Sequence, residues 1–419
     1  MTVAPDMALA ARLFERLRQD NADQDGVTRD TYGAGEQRAH DLLAAEARRL
    51  GLEVRTDAAL NLYLTLPGRE RGLPVVMTGS HLDSVPVGGN YDGAAGVVAG
   101  LSVLAGWVAA GVQPGRDVTV MAVRAEESAW FPVSYIGSKA AFGKLGPEAL
   151  EARRFDTGRT LGEHLTELGG QPQALARGEA QLTADTIDCF IELHIEQGPV
   201  LLGQGDVLGI VTGICGSLRY RAARAVGRYG HSGATPRLYR QDAVVAFAAL
   251  VQRSQQDWAE MEAQGHELTL TFGRVETDPH QSDLSKVAGQ VDFCIDIRSR
   301  SHATLAEMDR RLKRAARNAS GVVFDFGPVS GSEPAVMDDA LRQALTEAAA
   351  LQGLAAPALP SGAGHDTATF ANAGVASAML FVRNANGSHN PEETMTMNDF
   401  AAGCAVLGAV LARRAGGLA

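Results

Sequence analysis

The chain has 419 residues, 45% of them hydrophobic, and a formal net charge of −11. That length exceeds one ordinary core and implies two domains, while the acidic balance excludes nucleic-acid binding as a main role, because phosphates need a basic face. No apolar run reaches membrane-spanning length, the first residues lack a signal-peptide pattern, and Cys189, Cys215, Cys294 and Cys404 are too scattered for a disulfide frame, so the cytoplasm is the expected compartment.

Taken in order, residues 5–20 and 34–51 read as helices, followed by a short strand pair at Leu52–Thr56 and Asn61–Leu66. Pro74–Thr78 is an apolar run of the kind that forms a buried parallel strand. It opens into a glycine-rich loop from His81 to Asp92, and a helix of small residues follows to about Gly111. Arg116–Val123 is a second such strand and leads into Glu126 and Glu127; residues 135–180 read as helices and polar connections without nameable chemistry. Asp188–His194 is a third strand.

The texture changes near Gly209–Gly216. Leu218–Val226 alternates like a strand with one exposed face, and a helix from Gln241 to about Ala263 follows. Strands at Glu267–Val275 and Gln290–Arg298, a helix at Thr304–Ala319 and a strand at Val322–Phe326 complete an α+β sandwich. This predicts a discontinuous first domain, 1–213 with 330–419, interrupted by an inserted one at 214–329. The chain then runs through a helix (Asp338–Leu351), a glycine loop to Asp366, a strand (Ala376–Val382), the Ser388-His389 turn and a closing helix from Phe400 to Arg413.

Strand after strand thus delivers ligand-type residues at its carboxyl end. His81, Asp92, Glu127, His194 and His389 make a set of nitrogen and oxygen ligands without thiolate, which suits Zn²⁺, Mn²⁺, Co²⁺ or Ni²⁺. One carboxylate shared between two ions is a plausible dinuclear arrangement. Asp83 is placed to support the His81 ring if the backbone between Ser80 and Asp83 stays extended. Glu126 is the candidate general base. Nucleophilic catalysis has no support: a Gly-x-Ser-x-Gly elbow is missing, and His231 beside Ser232 is not a usable pair.

These strings carry a family resemblance. Gly79-Ser-His-Leu-Asp-Ser-Val-Pro, Gly89-Asn-Tyr-Asp-Gly, Glu126-Glu, Glu192-Leu-His-Ile-Glu-Gln-Gly-Pro, Gly230-His-Ser-Gly-Ala-Thr-Pro, Asp296-Ile-Arg, Ser361-Gly-Ala-Gly-His-Asp and Ser388-His-Asn-Pro span nearly the whole chain. In that order they resemble the dinuclear metal-dependent amidohydrolases of the aminoacylase and carboxypeptidase superfamily. The nearest branch holds N-carbamoyl-L-amino-acid hydrolases, bacterial β-ureidopropionases and allantoate amidohydrolases. The resemblance implies an α/β, metallo-exopeptidase-like domain with a mixed, largely parallel sheet, and an inserted lid that dimerises. It implies two divalent ions per subunit on His81, Asp92, Glu127, His194 and His389, with Asp92 bridging and Glu126 as base.

It further implies that His231 of the partner subunit stabilises the oxyanion, that Arg298 clamps the substrate carboxylate, and that Gln197 contacts substrate. Gly362, Ala363, Gly364 and His365 are expected to line the amide pocket. The implied reaction is hydrolysis of an N-carbamoyl or close N-acyl amino acid, with an allantoate or ureidoglycolate type of substrate as the alternative. A non-catalytic protein that kept the fold would have no need of the full ligand set.

Some strings depart from the family. Ser285 stands where an asparagine contacts substrate, Ser128-Ala-Trp-Phe131 replaces Gly-Ser-Arg-Phe, and Arg383-Asn-Ala-Asn386 is unusual. An arginine lost and an indole gained at Trp130 lead to the expectation of a pocket with different charge and more apolar area.

Overall fold

The uninterrupted apolar runs become the centre of a mixed sheet. In the computed structural model, which describes residues 3–317 and 321–418, four neighbouring strands are parallel: Ser377–Val382, Ile187–Ile195, Val75–His81 and Val118–Val123. Nearly every side chain on them is buried, as expected when both faces of a parallel sheet are covered. Antiparallel strands flank this core: Leu62–Leu66 and Glu53–Thr56 at one edge, and Leu208–Ile214 beside Ser377–Val382 at the other. The Leu208–Ile214 strand is one that patterning does not separate, because its residues are buried with almost no alternation.

The helix Ala94–Ala109 shows why small residues follow the glycine loop. It is buried over most of its circumference and packs between the Val75–His81 strand and the helix Met397–Arg414. A helix apolar all round belongs inside. Residues 135–180 form short helices, including Leu161–Glu167 with a Thr160–Glu163 capping box, over a cluster containing Tyr32, Trp130, Phe131, Ile136 and Leu165.

The chain divides into two compact units. One runs up to Thr212 and resumes at Val336; the other is Gly213–Ala335. The second unit reaches past residue 329 because Val329–Ser332 is itself a strand, paired with Gly216–Val226 in the same sheet. That sheet is antiparallel, with Thr269–Glu276, Gln290–Ser299, Gly216–Val226 and Val323–Asp325 in order. Along Gln290–Ser299 burial alternates strictly. Val291, Phe293, Ile295 and Ile297 face the core shared with the helices Ala243–Ala263 and His302–Ala316, and the residues between them face away. The helix expected to reach Ala319 is observed to Ala316; residues 318–320 lie outside the described residues, as do Met1 and Thr2. Among the described residues no helix is long and apolar enough to cross a membrane.

Candidate metal centre

Because the four central strands are parallel, their carboxyl ends share one edge, the place where open α/β sheets gather ligands. His81 ends one strand and His194 is the penultimate residue of another. Glu126 and Glu127 follow the third, His389 follows the fourth, and Asp92 closes the loop after His81. Asp92 is the meeting point. Its Oδ1 lies 3.2 Å from His194 Nε2 and 3.7 Å from His81 Nε2, and its Oδ2 lies 3.3 Å from His389 Nε2. His389 Nε2 is also 3.0 Å from Glu127 Oε1. Two trios result, His81–Asp92–His194 and Asp92–Glu127–His389, each with its ligand-type atoms within 4.8 Å of one another.

Local structure orients each group. Gly93 has φ 65°, and a Cβ there would overlap the His81 ring, so only glycine lets the helix start against that imidazole. His81 Nδ1 lies 3.1 Å from the Asp83 carbonyl oxygen and His194 Nδ1 lies 2.8 Å from that of Ile195. A carbonyl only accepts, so both Nδ1 atoms carry protons and both Nε2 atoms face Asp92. The Gly93 N–H donates to His194 Nε2, which marks that nitrogen as a lone-pair donor. Asp92 Oδ1 is therefore a buried carboxylate oxygen without a hydrogen bond, facing imidazole nitrogens. A divalent cation satisfies such a set, and the residues present fit one.

The electrostatics carry the same imprint. Hydrogen bonds to Asp92 and Glu127 push His389 up to about 11. Burial opposes charge on His81, but Asp83, Glu126 and Asp92 outweigh it and hold its pKa well above the ordinary value. Burial drives Glu126 well above the usual carboxylate range; Glu127, Asp366 and Asp83 add to the rise, and His81 opposes it.

Asp83 does more than face His81. Its Oδ1, 3.3 Å from His81 Nδ1, accepts the Glu126 N–H at 3.1 Å, and its Oδ2 accepts the Glu127 N–H at 3.2 Å and the Thr31 hydroxyl at 2.6 Å. One carboxylate thus sets the imidazole and both glutamates. The turn ahead of them is strained: Ala125 has φ 57°, held by its N–H to Glu36 Oε1, while Arg124 donates to Glu36 Oε2. The segment without nameable chemistry braces this turn, through Tyr135 N–H to the Glu126 carbonyl and Ile136 N–H to that of Ala125.

Gln197 joins the cluster by donating Nε2–H to Asp92 Oδ2 at 2.9 Å, and its Oε1 is buried with no hydrogen-bond partner. His365 is buried edge-on against the His194 ring at 4.5 Å, with Nε2 2.9 Å from Ser361 Oγ. Glu192, His194 and His365 also converge, yet both Glu192 oxygens are taken, by Ser80 on one side and Thr367 on the other. In the same loop the Ala363 carbonyl accepts the Ser361 hydroxyl, Gly362 faces open space, and Gly364 lies where a Cβ would overlap Tyr135. His231, Ser285 and Arg298 belong to the second unit. His231 is exposed on a short strand paired with Lys286–Val287, the Ser285 carbonyl accepts the Ser232 N–H, and Arg298 Nε donates to Asp296 at 2.8 Å.

Trp130 is a correction. Its indole is 7% exposed, donates to the Ser84 carbonyl at 2.8 Å, and stacks against Phe155 with the Arg154 guanidinium over its ring. It anchors the loop after His81 from behind instead of widening a pocket. Sequence reasoning also passed over Arg29, whose fully buried guanidinium donates to the carbonyls of Leu82 and Asp92, and Glu393, which accepts from the amides of Tyr91 and Asp92. Glu393 is one of two consecutive glutamates, the same signal that marked Glu126, and it went unread.

Known proteins place these observations. The family model described as Peptidase family M20/M25/M40 matches residues 77–413. An N-carbamoyl-L-amino acid amidohydrolase of Geobacillus stearothermophilus is 34% identical over 96% of this chain and 97% of its own length. An allantoate amidohydrolase of Escherichia coli K12 is 35% identical over 86% of each. The crystal structure of a hydantoinase/carbamoylase family amidase from Burkholderia ambifaria superposes with a TM-score of 0.84 at 29% identity, over 100% of both chains. With the family model matched over most of its length, this chain belongs to the M20/M25/M40 peptidase family.

Proposed function

We propose that this protein is a metal-dependent amidohydrolase that cleaves the linear C–N bond between the carbamoyl group and the nitrogen of an N-carbamoyl-L-amino acid. The observation that carries this reading is Asp92, one carboxylate shared by two ligand trios, with a buried oxygen that has no hydrogen bond. His81, Asp92 and His194 would hold one divalent ion, and Asp92, Glu127 and His389 the other. Zn²⁺, Mn²⁺, Co²⁺ and Ni²⁺ all suit the ligand types. When bound, such a pair polarises the carbonyl and lowers the pKa of a water.

The chain's own residues supply the rest. Glu126, on the turn that Asp83 aligns, takes a proton from the water that attacks the carbamoyl carbon. As the C–N bond breaks, Glu126 passes that proton to the departing amino-acid nitrogen. Arg298 forks onto the substrate carboxylate, and His231 of the partner subunit donates to the oxyanion. Gln197, Gly362, Ala363, Gly364, His365 and Ser285 complete the contacts to substrate, and the second unit serves as lid and dimerisation surface. Leu238, Tyr239 and Leu284, exposed apolar side chains on that unit, support a surface that is covered by a second copy. The free state of all four cysteines supports a cytoplasmic setting.

The second reading, hydrolysis of allantoate or ureidoglycolate, is favoured by the similarity to the Escherichia coli allantoate amidohydrolase. Metal-reconstituted protein assayed against N-carbamoyl, N-formyl and N-acetyl amino acids beside allantoate tests both. Preferential release of a free L-amino acid from the N-carbamoyl series is expected; turnover of allantoate alone would replace the first reading by the second.

A further inference from the structure

The ligand trios come from loops far apart in the chain, and something must hold them in register. We infer that Glu393 is a positioning residue that locks the Asp92 loop to the His389 loop, an inference that rests on the dinuclear reading above. Glu393 is 6% exposed and does not belong to either trio. Its Oε1 accepts the N–H groups of Tyr91 at 2.8 Å and Asp92 at 3.2 Å, and its Oε2 lies 2.6 Å from the Ser388 hydroxyl. That same hydroxyl is 2.6 Å from Asp92 Oδ2, the oxygen directed at His389.

The loop around Glu393 is shaped for this task. Ala385 and Thr394 pair across its base, which makes 386–393 a closed loop with His389 at φ 61° and Glu393 at its neck. On the opposite side, a Cβ on Gly89 would overlap the Glu393 carboxyl group, so the glycine admits it. Arg29 grips the same segment through carbonyls, donating to Leu82, Asn90 and Asp92, while Glu393 grips it through amides. Backbone position and side-chain direction of the shared carboxylate are thereby both set from the His389 loop. Groups that orient a metal ligand without touching the metal typically contribute a factor of about 10–100 in affinity.

The test uses full-length metal-free protein titrated with Co²⁺, read by calorimetry and visible absorption. Glu393→Met keeps the length of the side chain without an acceptor, and one of two Co²⁺ equivalents is expected to weaken by about 10–100-fold. Glu393→Gln retains an acceptor for both amides and is expected to restore it. Ser388→Ala, which leaves the amide bonds in place, is expected to weaken the same equivalent and decides the matter if Glu393→Met does not fold. Wild-type affinity for both equivalents in Glu393→Met or in Ser388→Ala overturns the inference, as does equal damage in Glu393→Met and Glu393→Gln. Wild-type protein that takes up fewer than two equivalents fails the dinuclear reading itself, a result distinct from these.

Discussion

Two histidine-bearing segments of this chain are built in opposite ways. From His81 to Asp92 the polar groups are buried and held by distant parts of the chain: Arg29 and Thr31 from one side, Glu393 and Gln197 from the other. Around His231 the chain is exposed, and the contacts to the ring are the N–H groups of Gly233 and Ala234, its own neighbours, each 3.2 Å from Nδ1. The first is the architecture of side chains whose geometry is fixed within the folded unit. The second is that of a side chain oriented by its own turn. The proposed function assigns the chemistry to the first segment and an oxyanion contact to the second.

The largest expected effect lies in the fixed part. Glu126→Gln should lower kcat by about 10²–10⁴-fold with metal content unchanged by elemental analysis; near-wild-type turnover would mean the base is elsewhere. On the exposed side, His231→Ala should cost about 10²–10³-fold. If His231 acts across a dimer, mixing His231→Ala with Glu126→Gln subunits should recover activity in a fraction of the heterodimers. No recovery would return His231 to its own subunit or to a structural role.

A third expectation concerns protons. In the metal-free protein His389, raised to about 11, is protonated at neutral pH and must lose that proton to bind a cation. Cation affinity should therefore rise with pH, by about tenfold per pH unit for each proton displaced, and calorimetry in two buffers of different ionisation enthalpy should count the release. Affinity independent of pH from 6 to about 8 would contradict this. The smallest effect is structural: Trp130→Phe removes the bond to Ser84 and should cost about 1–3 kcal/mol of stability with substrate preference unchanged. A changed preference would return Trp130 to the pocket.

The convergence of the candidate ligands was legible in the sequence because parallel strands are written as continuous apolar runs, and polar residues at their ends stand out. His81, Asp92, Glu127, His194 and His389 converge for that reason. Arg29 was not legible, and the paired glutamates at 392 and 393 do not say what Glu393 meets. Each meets backbone groups remote in sequence, and no spacing encodes a bond from residue 393 to the amide of Asp92. Trp130 misled because the position replaces an arginine in related strings, whereas burial against Ser84 and Phe155 is decided by tertiary packing. The end of the second unit was missed because Val329–Ser332 is mostly glycine and serine and carries no apolar alternation.

The central claim is a dinuclear centre built on one shared carboxylate. Titrating metal-free protein with Co²⁺, and comparing it with Asp92→Asn under the same conditions, tests that claim most directly. Two equivalents per wild-type subunit and loss of tight binding of both in Asp92→Asn are predicted; one equivalent in the wild type, or two retained in Asp92→Asn, would contradict it.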